Sequence, residues 1–116
     1  MNKEARIDYV EIPVSDLPAA RAFLREMFGW EFTDWGPDYS SFSDGRLDGG
    51  LRAAAEPAPA TGVLLVFYSS DLERDQARVV ELGATISQPI FSFPGGRRFH
   101  FVEPAGTEFA MWSATE

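Results

Sequence analysis

Val10-Glu-Ile-Pro-Val-Ser-Asp-Leu17 and Leu65-Val-Phe-Tyr-Ser-Ser-Asp-Leu72 each end in Asp-Leu and run on into an amphipathic stretch that stops at a glycine, Gly29 in one case and Gly83 in the other. The Asp-Leu pairs are 55 residues apart (71 minus 16) and the glycines 54 (83 minus 29), so two units of equal plan fill the chain of 116 residues. In the first copy Val10, Ile12 and Val14 alternate with Tyr9, Glu11 and Pro13. That is the period of a half-buried strand, with the apolar set on one face and Tyr9 and Glu11 on the other.

Ser15 or Asp16 then caps a helix in which Leu17, Ala20, Phe23, Leu24, Met27 and Phe28 recur at spacings of three and four. Pro18 lies in the first turn, where a missing N–H is tolerated, and Gly29 supplies the left-handed stop. Three further strands are predicted at Trp30 to Trp35, Tyr39 to Ser43 and Leu47 to Ala54, separated by Gly36-Pro37-Asp38 and Asp44-Gly45. The second copy predicts a strand over Val63 to Tyr68, a cap at Ser70 or Asp71, a helix from Leu72 to Leu82, and strands at Ala84 to Ser87, Arg97 to Val102 and Glu108 to Ser113. Its turns are Pro94-Gly95-Gly96 and Pro104-Ala105-Gly106. Both units thus read βαβββ. Module one spans 5–54, the Ala- and Pro-rich stretch 53–62 is the expected linker, and module two spans 63–114, all within a single domain 1–116.

Composition bounds the function. With 45% hydrophobic residues and no cysteine, the chain is expected to fold without disulfides, and thiolate metal sites are excluded. Met1 to Arg6 has no apolar signal core and no stretch is long and apolar enough to span a bilayer, so a soluble, cytoplasmic protein without membrane partners is expected. A net charge of -8, with scattered basic residues, argues against nucleic acid as a partner and suits a neutral or cationic small ligand.

Taken together, Glu11-Ile-Pro-Val-Ser-Asp-Leu17, Phe28-Gly-Trp30 and the closing Pro104-Ala-Gly106 to Trp112 resemble the vicinal oxygen chelate superfamily, which contains glyoxalase I, bleomycin-resistance proteins and extradiol dioxygenases. Within it the chain looks most like the small bacterial glyoxalase-like proteins. The resemblance implies an α+β fold in which two βαβββ modules form a curved mixed-sheet cup with the helices outside and a ligand inside. It also implies a homodimer, with modules paired side by side or exchanged between chains. If Val10, Ile12 and Val14 meet the first helix and Val63, Leu65 and Phe67 the second, then Tyr9, Glu11, Leu64, Val66 and Tyr68 line the cup. Glu108, Ala110 and Trp112 join them from the last strand, with Phe109 and Met111 turned outward.

The resemblance also places the metal ligands of metal-dependent relatives. They fall seven residues before the Asp of Asp-Leu, at Tyr9 and Leu64, and four residues after a turn glycine, at Ala110 and, by the internal repeat, at Gly49. A divalent site needs about three or four N or O donors, and these four residues offer at most a phenol. No cofactor is expected, and a divalent metal is the lesser alternative.

Three functions remain open. The first is metal-free binding, of the bleomycin-resistance type, of a small hydrophobic or aromatic molecule, a cation included. Its ligand-binding set is Tyr9, Glu11, Gly49, Leu64, Val66, Tyr68, Glu108, Ala110 and Trp112. The second is a glyoxalase-like lyase or isomerase, or a dioxygenase, either with displaced metal ligands or metal-free. In the metal-free form Glu11 acts as base, its pKa raised by an apolar cavity, and Tyr9 as hydrogen-bond donor. The third is an interaction module that uses Trp30, Trp35 and Trp112 against a partner protein. His100, the single histidine, needs a positioned partner before it can act as a base. Glu11 and Glu108 are set against a solvated position, or one paired with Arg97 or Arg98. Asp48-Gly49-Gly50-Leu51 marks a strand that something approaches closely.

Overall fold

The computed structural model describes residues 5–57, 59 and 62–114, so the first four residues, part of the expected linker and the last two residues lie outside the description. The chain divides into two compact units, Met1–Pro57 and Ala58–Glu116. In chain order the elements are β1 (Tyr9–Val14), α1 (Leu17–Phe28), β2 (Glu31–Asp34), β3 (Tyr39–Ser43), β4 (Asp48–Ala53), β5 (Leu65–Tyr68), α2 (Leu72–Glu81), β6 (Thr85–Phe93), β7 (Gly96–Val102) and β8 (Glu108–Ser113). Each unit is therefore βαβββ, and the fold is α+β.

Unit one holds a four-stranded sheet in the order β1-β4-β3-β2, and unit two a sheet in the equivalent order β5-β8-β7-β6. The first strand of each pairs in parallel with the last, Val10 opposite Gly49 and Leu65 opposite Phe109, and the remaining pairings are antiparallel. The parallel pairing follows from the chemistry of the connection, because a helix returns the chain to the starting end of the sheet.

Both helices are capped by the aspartate of Asp-Leu. Asp16 accepts from the Ala19 N–H and Asp71 from the Arg74 N–H, each at 3.1 Å. Gly29, with φ of 72°, closes α1, and Gly83, with φ of 99°, follows α2. The α1 stripe buries Leu17, Ala20, Phe23 and Leu24 with Ile12, Val14, Phe42 and Leu51, and Trp30 stacks on Phe42 at 4.3 Å. In unit two Leu72 and Val79 are buried with Phe99, Phe101, Phe109 and Met111. Each such large side chain contributes about 1.5–3 kcal/mol.

Two expectations are corrected. Val63 is 88% exposed and β5 begins at Leu65, so Val63 meets no helix. β6 runs through Pro89 to Phe93, past Ser87 where the expected strand ends. Proline is tolerated there because β6 is the edge of its sheet, and its pairing with β7 shifts register between Ile86 and Gln88 and again between Gln88 and Phe91.

Candidate functional site

Alternation gives each sheet a face toward its helix and a face away from it, and the polar and aromatic side chains gather on the latter. In unit one the register puts Tyr9, Glu11, Asp48, Gly50, Arg52, Tyr39, Ser41, Ser43, Glu31 and Thr33 together. Tyr39 lies across Gly50, where any Cβ would collide with its ring and hydroxyl. That hydroxyl donates to Glu11 Oε2 at 3.0 Å and is 2.6 Å from the Tyr9 hydroxyl, which therefore donates to it. Arg52 Nε stands 3.5 Å from Glu11 Oε1. Partial burial, and after it the bonds to Tyr9 and Glu11, push the Tyr39 phenol well above the usual tyrosine value.

Glu11 is consequently not a carboxylate in an apolar cavity. Its side chain is 49% exposed, accepts from the Tyr39 phenol and is ion-paired with a guanidinium, Arg52 rather than Arg97 or Arg98. Beside this network a recess of about 350 Å³ is lined by Tyr9, Glu31, Thr33, Ser41, Ser43 and Asp48, with Phe32, Phe42 and Gly49. None of its lining residues is basic, and the Glu31 and Asp48 carboxylates have no side-chain partner among the described residues.

Gly49 does not share the face of Tyr9. It pairs with Val10 and Phe42 on the helix side, where a Cβ would meet the Val10 carbonyl and the Phe42 ring. The residue matching Ala110 is Gly50, because Glu11 pairs with Gly50 as Val66 pairs with Ala110. Counting from the turn glycines slips by one: β4 starts three residues after Gly45, whereas β8 starts two after Gly106. The close approach signalled by Gly49-Gly50 is made by Phe42, Val10 and Tyr39 of the same unit.

In unit two, Val66, Tyr68, Glu108, Ala110 and Trp112 share the face away from the helix, with Phe109 and Met111 buried on the other, as the alternation requires. Leu64 precedes β5 and is half-buried. Glu108 is neither solvated nor paired with an arginine. His100, which is buried, and the half-buried Glu108 form a pair, Nδ1 to Oε2 at 3.1 Å, and Ser87 Oγ donates to the same carboxylate oxygen at 3.3 Å. Arg98 Nε donates to His100 Nε2 at 3.1 Å, which fixes the tautomer: Nδ1 carries the proton and donates to Glu108. Phe91 covers the imidazole at 5.9 Å, and the Arg98 guanidinium lies 5.9 Å from the Phe93 ring centre.

Neither His100 nor Glu108 taken singly signals this cluster; the hairpin between them does. With the five-residue turn Glu103–Thr107 closing β7 onto β8, residues 98, 100 and 102 must share a face with 108, 110 and 112. Glu103 builds that turn by accepting from the Ala105 and Thr107 N–H groups, both at 2.8 Å.

At the positions where metal-dependent relatives hold their ion, unit one offers Tyr9 with Gly49, or with Gly50 once the register is applied, and unit two offers Leu64 with Ala110. These donors do not fit a divalent ion, and no group of three His, Cys, Asp or Glu among the described residues could hold one.

A family model described as the Glyoxalase/Bleomycin resistance protein/Dioxygenase superfamily matches residues 6–111. No curated protein matches the sequence. Among solved structures, the E126Q variant of the fosfomycin resistance protein FosX from Listeria monocytogenes, complexed with Mn(II) and 1S,2S-dihydroxypropylphosphonic acid, is 20% identical with a TM-score of 0.80, covering 97% of this chain and 91% of its own. A lactoylglutathione lyase from Agrobacterium tumefaciens is 24% identical with a TM-score of 0.72, over 97% and 96%. A glyoxalase/bleomycin resistance protein/dioxygenase family enzyme from Burkholderia phytofirmans is 17% identical with a TM-score of 0.79, over 93% and 99%. At these identities the likeness is one of fold.

Proposed function

We propose, from the premise that this chain belongs to the glyoxalase/bleomycin resistance protein/dioxygenase superfamily, that it binds a small planar molecule without the help of a metal ion, and that in unit one the ligand is a cation. The observation that carries this reading is the recess of about 350 Å³ beside Tyr9, which presents two carboxylates and four hydroxyls and no base. Unpaired carboxylates attract an ammonium or a delocalised cation, and the Tyr9 ring supplies a π face for it. The volume suits a molecule of drug-like size. A base role for Glu11 has less support, since its carboxylate is half exposed and already engaged by Tyr39 and Arg52.

Equilibrium dialysis of the metal-free protein against proflavine, a planar cation, tests the reading. Saturable retention is expected, weakened about tenfold or more in the Glu31→Gln, Asp48→Asn double variant. Failure of the folded protein to retain the dye, or equal retention by the double variant, overturns it. So would stoichiometric Ni, Zn, Fe or Mn in the purified protein after dialysis. Homodimerisation and a cytoplasmic location belong to the same proposal, and sedimentation equilibrium checks the first.

A further inference from the structure

Unit two presents a different chemistry on its open face. Tyr68, Trp112, Arg98 and Phe91 stand in one cross-strand row, each in register with the next, and Phe93 adds a ring 6.3 Å from Trp112. Tyr68 meets Trp112 edge to face at 5.1 Å and remains 57% exposed. Three sets of donors in this row have no acceptor among the described residues: the Tyr68 hydroxyl, the Trp112 indole N–H and the two terminal nitrogens of Arg98. Among the described residues the one carboxylate on this face, Glu108, is occupied by His100 and Ser87.

We propose that this row is a binding site for an aromatic carboxylate, with the Arg98 terminal nitrogens on the carboxylate and the Trp112, Phe93 and Tyr68 rings against the ligand's ring system. Charge decides the class of ligand. A neutral or cationic aromatic laid over this row would strip water from the Arg98 guanidinium and return nothing, which is costly for a charge. A carboxylate matches the planar fork of a guanidinium in two parallel hydrogen bonds. The neighbouring arginine, Arg97, is spent on Glu73 at 2.6 Å, so a single positive charge faces the ligand and a monoanion balances it.

His100 is a positioning residue here. By accepting from Arg98 Nε it holds the guanidinium by one nitrogen and leaves the terminal pair for the ligand, and Glu108 holds the imidazole in the tautomer that can accept. The row selects the opposite charge to that sought by the recess of unit one, so each assignment can fail without the other.

The test is a titration of the full chain with 2-naphthoate, 2-naphthylmethylammonium and 2-naphthalenemethanol, followed by NMR at the indole N–H signals. Saturable binding of 2-naphthoate is expected, moving the Trp112 signal and leaving the Trp35 signal in place, with affinity about tenfold or more above the cation and the alcohol. Arg98→Gln and His100→Leu should each weaken 2-naphthoate about tenfold or more. His100→Gln, whose amide oxygen can accept from Arg98, should restore it, which a merely structural histidine would not allow. The proposal is overturned if the folded protein shows no saturable 2-naphthoate binding up to about 10 mM, if the cation or alcohol binds as well, or if Arg98→Gln binds undiminished. Should a variant fail to fold, the three compounds on the unaltered protein decide the matter alone.

Discussion

Six positions on the open faces of the two units correspond through the strand register, and they show what the repeat kept and what it released. In unit two they are Arg98, His100 and Val102 on β7 with Glu108, Ala110 and Trp112 on β8. In unit one they are Tyr39, Ser41 and Ser43 on β3 with Asp48, Gly50 and Arg52 on β4. An acid opens the last strand in both, as Glu108 and Asp48. In unit two that acid is held by a histidine placed diagonally across the strands. In unit one the corresponding residue is the short Ser41, and Asp48 is left without a side-chain partner among the described residues. The faces toward the helices differ too: Phe109 fills the position at which unit one has Gly49 under the Phe42 ring. The backbone plan tolerates these exchanges because pairing uses main-chain groups, while the two faces are free to be filled from different strands.

The comparison can be broken most sharply at the helix-side pair. Phe109→Ala should cost about 3–5 kcal/mol by leaving a cavity in the core of unit two. The complementary change, Gly49→Ala, should cost about 1–3 kcal/mol, because the new Cβ meets the Val10 carbonyl, which is backbone and cannot swing aside. Urea denaturation measures both, and a Gly49→Ala protein as stable as the parent would refute the claim that Phe42 fills that place. Next in size is the open-face pair. His100→Ala leaves the half-buried Glu108 carboxylate with only the Ser87 hydroxyl, a loss of about 1–3 kcal/mol. Ser41→Ala, which removes only the exposed bond from Trp35 Nε1, should stay within about 0.5 kcal/mol.

The smallest expected effect separates the tyrosine network from its surroundings. The Tyr39 phenol is pushed up in the folded chain, so the folded state keeps this proton at a pH where the unfolded chain has lost it. Stability contributed by Tyr39 is present below the unfolded value of about 10 and declines as pH rises beyond it. Urea melts at rising alkaline pH should show this slope in the parent and a weaker one in Tyr39→Phe. Gly50→Ala should weaken it likewise, because Tyr39 can swing away from the new methyl group.

The periodicity and caps of the two Asp-Leu repeats were enough to identify both helices, the βαβββ order and the faces of β1, β5 and β8. Those features are local: a strand alternates at two, a helix at 3.6, an aspartate accepts from the N–H three residues on, and a glycine permits a left-handed stop. By the same local logic Tyr9 and Glu11 were placed together, and so were Glu108, Ala110 and Trp112. What lay beyond the sequence were relations across strands, where one residue of turn length decides which side chain meets which. That one residue makes Gly50, rather than Gly49, the counterpart of Ala110. It brought Tyr39 over a glycine to reach Glu11, and it set His100 between Arg98 and Glu108. The sequence by itself determined the fold and the poverty of metal donors at Tyr9, Leu64, Ala110 and either glycine. Only the tertiary structure decided which charges on each open face are left unpaired among the described residues, because a carboxylate or guanidinium is spent or unspent according to its neighbours across the sheet, and those neighbours are far away along the chain.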